Sequence, residues 1–256
     1  MVQERVDVED KKWQADPDRG PTKGSLWNHS ENEDGWMHAH NCIRGEIRDI
    51  VEAFRSIENK FPGGLPSWAV FAIQKIWYEH KMHVLSHHEN EDAKITPLLQ
   101  NRIKLPEKLE SDHKIVIDRI SQVTDAIESL KEGASVRAVQ NLLSIYEETM
   151  LPHLEEEELV ALPLMFAYFE PEEISAVVMK FSSTNAEVGS FVYYQTPEKF
   201  RNNFMKQEGI PGFIWHLHFK PKYNYFLEHM KKPLDALKAG VEPLPNNNCL
   251  SCFARS

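Results

Sequence analysis

The sequence predicts an all-α chain: an up-down-up-down four-helix bundle with additional C-terminal helices. Three observations carry this expectation. Four long stretches repeat apolar residues at spacings of three and four. The breaks between them are short and rich in Pro, Gly and Ser. A His followed four residues later by Glu occurs twice, in His87-His88-Glu89-Asn90-Glu91 and in His153-Leu154-Glu155-Glu156-Glu157, each copy with a proline downstream, Pro97 and Pro163.

Residues 1–35 read as an irregular arm, dense in turn formers from Asp16 to Ser25, with Trp13 and Trp27 as residues that would pin it to the folded body. Helix one starts at Trp36 and runs to about Asn59, with Trp36, His40, Ile43, Ile47, Ile50, Val51 and Phe54 as its stripe. Phe61-Pro62-Gly63-Gly64-Leu65-Pro66 ends it. Ser67 is read as the N-cap of helix two, which reaches about Arg102 and carries His80, His83, His87 and Glu91. Helix three spans about Lys108 to Lys131, with His113, Val116, Ile117, Ile120, Val123 and Ile127 on its apolar side. Helix four spans about Val136 to Phe169. Leu142, Ile145, Tyr146, Thr149, His153, Glu157 and Val160 share its inner face, and Pro152 is expected to kink it. The bundle therefore occupies residues 36–170. Residues 171–245 form a helical appendage, with helix starts at Pro171 and Thr196-Pro197 and a stretch from Pro221 to Ala239 broken near Pro233; 246–256 is a tail.

Composition narrows the function. A 41% hydrophobic content fills a core without approaching a membrane protein, and no apolar run is long enough to span a bilayer. The polar, acidic N-terminus has no signal-peptide or transit-peptide character, so a cytoplasmic protein is expected. A formal charge of −10 disfavours nucleic acid as a partner. Three cysteines make no disulfide framework, and Cys249-Leu250-Ser251-Cys252 is a lone pair in a polar tail.

The twelve histidines are the anomaly. His and Glu four apart share one helical face, and in an up-down-up-down bundle helices two and four bring their two pairs to the same end. His40 and His113 lie on the apolar stripes of helices one and three, so all four helices offer an inward His. Imidazole with carboxylate suits iron, zinc or manganese, and a carboxylate has two oxygens with which to bridge a metal pair. His80 and His83 read as core residues, with support of a ligand as the alternative. His88, about 100° round from His87, reads as peripheral. Other metal motifs fail: His83 to His87 has the peptidase spacing without its Glu, Glu110 to His113 alone gives the ferritin-type order, and His216-Leu217-His218 alternates faces.

His40-Asn41-Cys42-Ile43-Arg44, His87-His88-x-x-Glu91-Asp92, Asp112-His113 and His153-Leu154-x-x-Glu157-Glu158 together resemble the hemerythrin family in its HHE cation-binding form, over about residues 36–170. The resemblance implies a non-haem di-iron centre of two iron ions held by His40, His87, Glu91, His113, His153 and Glu157, with Glu91 and Glu157 as bridges and zinc or manganese as the lesser alternatives. Two features depart from oxygen carriers: Ile117 stands where they have a further His, and the spacing from His153 to Glu157 is four rather than five. Both look more like family members that sense, store or handle iron than like a reversible oxygen carrier. The expected ligand is a small diatomic gas (O2 or NO) or peroxide, in sensing, storage or detoxification; the alternatives are a di-iron oxidase or peroxidase-like enzyme and a zinc-binding helical scaffold.

Overall fold

The computed structural model describes residues 27–243 and the backbone of residues 6–7. Trp13, most of the arm, and the tail with Cys249 and Cys252 lie outside the described residues. The described residues are all-helical apart from a two-residue parallel pairing of β1 (Val6–Asp7) with β2 (Ile103–Lys104). Among the described residues no helix is long and apolar enough to cross a membrane.

Four long helices come first: α1 (Gly35–Lys60), α2 (Ser67–Asn90), α3 (Glu107–Glu128) and α4 (Arg137–Tyr168). Asp34 caps α1 by accepting from the backbone N–H of Trp36 at 2.8 Å. The cap of α2 is Pro66, not Ser67, which is the first helical residue and donates its hydroxyl to Glu132 at 2.5 Å. Proline suits that place because its fixed φ leads the chain into the helix. Beyond Asn90 the helix widens into a π turn, Glu91–Ile95, and ends in a last turn, Thr96–Leu99, rather than at Arg102. Gly133 takes a φ of 79° in the α3–α4 connection, and Ser135 accepts from the N–H of Arg137 where α4 starts.

Two stripes differ from expectation, α3 at Ile117 and α4 at several residues. On α3 the buried residues from His113 onward are His113, Val116, Ile120, Val123 and Ile127, while Ile117 is 44% exposed. On α4 the buried residues between Leu143 and Glu157 are Leu143, Tyr146, Met150, His153, Leu154 and Glu157, while of the expected face Leu142, Thr149 and Val160 are half-buried and Ile145 is 42% exposed. A strict alternation of three and four keeps a stripe straight along the contact, and Ile117 and Ile145 fall on its flank. α4 also runs unbroken through Pro152 and Pro163.

The appendage comprises α5 (Pro171–Val178), α6 (Asn185–Gln195), α7 (Lys220–Phe226) and α8 (Lys232–Ala239). The expected start at Pro197 is one short turn, Pro197–Lys199, continued by a π turn and Met205–Gln207. The helical reading of this region covered α6 without marking its start, although Thr184 caps it and pairs with Glu187 in a capping box. α7 and α8 join through a π turn, Leu227–Lys231, so the chain passes Pro233 without a break. α3 packs along α4, α2 against α3, and α8 along α1 and α2; α6 lies between α1 and α7.

Two apolar cores divide the long helices. One holds Ile43 to Ile57, Leu65 to Val84, Val116 to Leu130 and Val136 to Leu154. The other holds Ile95, Leu99, Leu109, Ala161, Leu162 and Met165, with Trp27 stacked on Phe166 at 4.1 Å and its Nε1–H donated to the Phe169 carbonyl. Going along the chain, α1 and α3 pass from the second core to the first, and α2 and α4 from the first to the second. A polar layer separates the two cores.

Candidate metal centre

That layer holds His40 from α1, His87 and His88 from α2, Glu91 from the start of the π turn, His113 from α3, and His153 and Glu157 from α4. Each is at most 8% exposed. Two sets of donor atoms close enough to share one ion emerge: His40, His87, Glu91 and Glu157 in the first, and His88, His113 and His153 in the second.

The carboxylates stand between the sets. Glu91 presents Oε1 to His87 Nε2 at 3.1 Å and to His40 Nε2 at 3.6 Å, and Oε2 to His113 Nε2 at 3.9 Å. Glu157 presents Oε2 to His40 Nε2 at 3.4 Å, and Oε1 to His113 Nε2 at 3.0 Å and to His153 Nε2 at 3.6 Å. Each carboxylate therefore turns one oxygen to either set, the disposition a bridging ligand needs.

All six expected residues meet here. His88 joins them, 2% exposed rather than peripheral, with its ring 4.7 Å from that of His113 and its Nε2 3.3 Å from His153 Nε2. The expectation took His87 as pointing straight inward. Instead the inward direction runs between the two histidines: His87 turns to α1, where its ring is 5.1 Å from His40, and His88 turns to α3 and α4. The doubled His was the signal for this, read on one side only.

Hydrogen bonds behind the cluster hold two of the rings. His40 Nδ1 donates to Glu158 Oε1 at 2.9 Å, and Arg44 grips Glu158 with both terminal nitrogens at 2.5 and 2.8 Å. His113 Nδ1 lies 2.7 Å from Asp92 Oδ1. Such carboxylate–imidazole contacts fix the tautomer and aim the other nitrogen. His80 and His83, expected as core residues, are buried and bonded to Glu46, outside the layer. His216 and His218 are exposed in the π turn Trp215–Phe219.

The electrostatics match a donor set short of a cation. Burial alone would pull His40 and His113 down; the carboxylates around them, Glu158, Glu91 and Glu157 for His40 and Glu157, Glu91 and Asp92 for His113, together outweigh it and lift both to about 9. Burial would raise Glu91, yet the neighbouring His87 and His40 hold it well below the usual carboxylate range. Burial keeps His88 and His153 below the ordinary histidine value, hence neutral, with a nitrogen lone pair free. His87 Nε2, both oxygens of Glu91, Glu157 Oε2, His88 Nδ1 and His153 Nδ1 are buried without a hydrogen-bond partner. Unpartnered buried polar atoms are costly, and imidazole and carboxylate are ligands that iron, zinc and manganese accept. The residues fit a metal.

A helical layer of buried histidines and carboxylates, spaced to share cations, defines a cation-binding helical protein. The chain matches the model of the hemerythrin HHE cation binding domain over residues 29–165, more than half its length, and it belongs to that family. No curated protein and no solved structure matches the chain.

Proposed function

We propose that the layer holds two irons side by side, the first on His40 and His87, the second on His88, His113 and His153, with Glu91 and Glu157 shared between them. The observation that carries this reading is the split of each carboxylate, one oxygen toward either set. The alternating passage of α1 to α4 between the two apolar cores supports an up-down-up-down bundle, and that threading explains how two distant His-Glu pairs share one layer. Two six-coordinate irons would leave open positions for dioxygen, nitric oxide or peroxide, and the bound metals would supply Lewis acidity and reversible one-electron change. The protein's own residues hold the donors in place, exclude water with the flanking cores, and fix tautomers through Glu158 and Asp92. We take the protein to act in the cytoplasm, in sensing, storage or detoxification of iron or a small gas.

A second reading, an oxidase or peroxidase acting on an organic molecule, is favoured by a cavity of about 790 Å³ lined in part by His87 and Glu91 and walled by Trp36, Ile95, Ile174 and Phe191. A diatomic gas needs far less room.

Metal analysis of protein produced with iron tests both readings. Two irons per chain are expected, with none retained after Glu91→Ala and Glu157→Ala together, and with one of the pair lost in His88→Ala. Full iron content in the double variant overturns the shared carboxylates, and a colourless zinc protein overturns the iron. Adding dioxygen or peroxide to the reduced form then separates the two readings: a lasting adduct favours binding, and catalytic turnover of an added organic reductant favours the enzyme.

A further inference from the structure

Two helical turns below the metal layer lies a second buried polar assembly. Glu46 of α1 is 1% exposed and accepts from two histidines of α2: His80 Nδ1 on Oε2 at 2.6 Å, and His83 Nδ1 on Oε1 at 3.0 Å. The other nitrogen of His80, Nε2, lies 2.9 Å from the hydroxyl of Tyr146 on α4. His80 is fully buried and Tyr146 is 1% exposed. His80 and Tyr146 each precede a metal-layer histidine, His87 and His153, by seven residues, about 10 Å along the helices.

The hydrogen bonds set the direction of every proton. Glu46 is an acceptor only, so His80 gives it the Nδ1 proton, and Nε2 is left as a lone pair that receives the O–H of Tyr146. A buried phenol needs a single acceptor, which a backbone carbonyl supplies without further polar groups. Here the acceptor is a base whose far side is clamped to a buried carboxylate, an arrangement that costs desolvation of each group in the heart of the apolar core. The chain of bonds ends at Tyr146. A path closed at that end does not pass protons through to water, but it does accommodate a proton that moves once and returns.

We infer that Tyr146 is a redox-active tyrosine, oxidised by one electron while its proton shifts to His80. In the step, the O–H bond of Tyr146 breaks and an N–H bond forms at His80 Nε2. One electron leaves for a metal-centred one-electron oxidant, which is reduced by one. The products are a neutral phenoxyl radical and an imidazolium of His80 held against the Glu46 carboxylate, so the charge gained stays beside its counter-charge. Burial shields the radical from water and solutes. His83, on the other oxygen of Glu46, lines the cavity that reaches His87 and Glu91. With the irons of the preceding section as natural oxidant, Tyr146 is an electron donor to the metal layer; that part alone rests on the iron reading.

The test on full-length protein loaded with redox-silent zinc needs no iron. Photogenerated ruthenium(III) tris-bipyridine serves as oxidant, and electron paramagnetic resonance records the radicals. A long-lived phenoxyl signal is expected, coupled to an exchangeable deuteron in heavy water. It is lost in Tyr146→Phe and kept in Tyr78→Phe, whose residue is 55% exposed. Glu46→Gln, which removes the counter-charge, shortens its life. A fluorotyrosine placed at position 146 of the otherwise native chain shifts its hyperfine pattern, a readout independent of whether Tyr146→Phe folds. A signal that fluorine at 146 does not move, or an indole signal from Trp77, whose ring packs 5.6 Å from Tyr146, overturns the inference. Absence of iron from the native protein would instead overturn the oxidant alone.

Discussion

The indole of Trp36 donates to His40 Nε2 at 2.8 Å, the same nitrogen that faces Glu91 and Glu157. A cation held by that lone pair displaces the indole, because Nδ1 is committed to Glu158. Zinc titration is therefore expected to change tryptophan fluorescence in the native protein and to leave Trp36→Phe unchanged; an identical response from both would show that His40 does not ligate through Nε2. Glu46 offers a prediction of another kind. Burial would raise its carboxyl, but the charge of His83 and the hydrogen bonds from His80 and His83 bring it from 4.5 down to about 2. A carboxyl depressed on folding stabilises the protein fully above pH 4.5, and that contribution fades as pH falls through about 2. His83 is shifted upward from 6.5 despite its burial by the same Glu46, so its share is complete below 6.5 and fades as pH rises. In denaturant unfolding of metal-free protein, the stability gap between native chain and Glu46→Gln should be widest near pH 5.5 and close toward pH 2. A gap that does not vary with pH refutes the ion-paired network.

Among the elements, three of the π turns have a common cause, which the fourth, Phe200–Phe204, does not share. Glu91–Ile95, Trp215–Phe219 and Leu227–Lys231 each end two residues before a proline, Pro97, Pro221 and Pro233. A proline lacks the N–H for the ordinary helical bond and its ring presses on the carbonyl one turn back. Widening the helix there, with the residue before proline bonding five positions back, relieves the clash and lets the helix continue. The first of these turns opens on Glu91 and carries Asp92, which supports His113, so the adjustment falls within the metal layer. Packing of α6 on α7 depends on Gly189. A Cβ there would sit 2.3 Å from the Lys222 carbonyl oxygen and 2.6 Å from Phe226 Cβ, and backbone cannot yield as a flexible side chain does. Gly189→Ala should destabilise by roughly 1–3 kcal/mol, the usual cost of overpacking, and calorimetry reads it as a lowered Tm. An unchanged Tm would mean that the appendage is held loosely.

For the molecule as a whole, the seven donors of the metal layer are a stability liability unless a cation neutralises them, since their burial leaves polar atoms without partners. Metal binding and folding are then linked. A cation present at a hundred times its dissociation constant adds about 2.7 kcal/mol, and a chain of this size gains about 2–4 °C per kcal/mol. Chelation should lower the Tm by roughly 5–10 °C per site on these scales. Equal melting with and without metal would refute ligation by the buried layer.

The sequence by itself determined that the chain is helical and that it resembles the hemerythrin family, whose model it matches. Apolar periodicity reports burial directly, and the His-Glu spacing of four repeats the pitch of the helix. His40, His87, Glu91, His113, His153 and Glu157 were legible for that reason. Periodicity gives the faces of a helix relative to one another, however, and not the direction that faces the core. That direction comes from the neighbouring helices, and it decided three things: His88 turns inward beside His87, Ile117 and Ile145 fall outside the buried stripes, and His80 meets both Glu46 and Tyr146. The split of the carboxylate oxygens between two histidine sets was likewise out of reach of sequence. It depends on positions fixed jointly by four helices, separated along the chain by more than a hundred residues from His40 to Glu157.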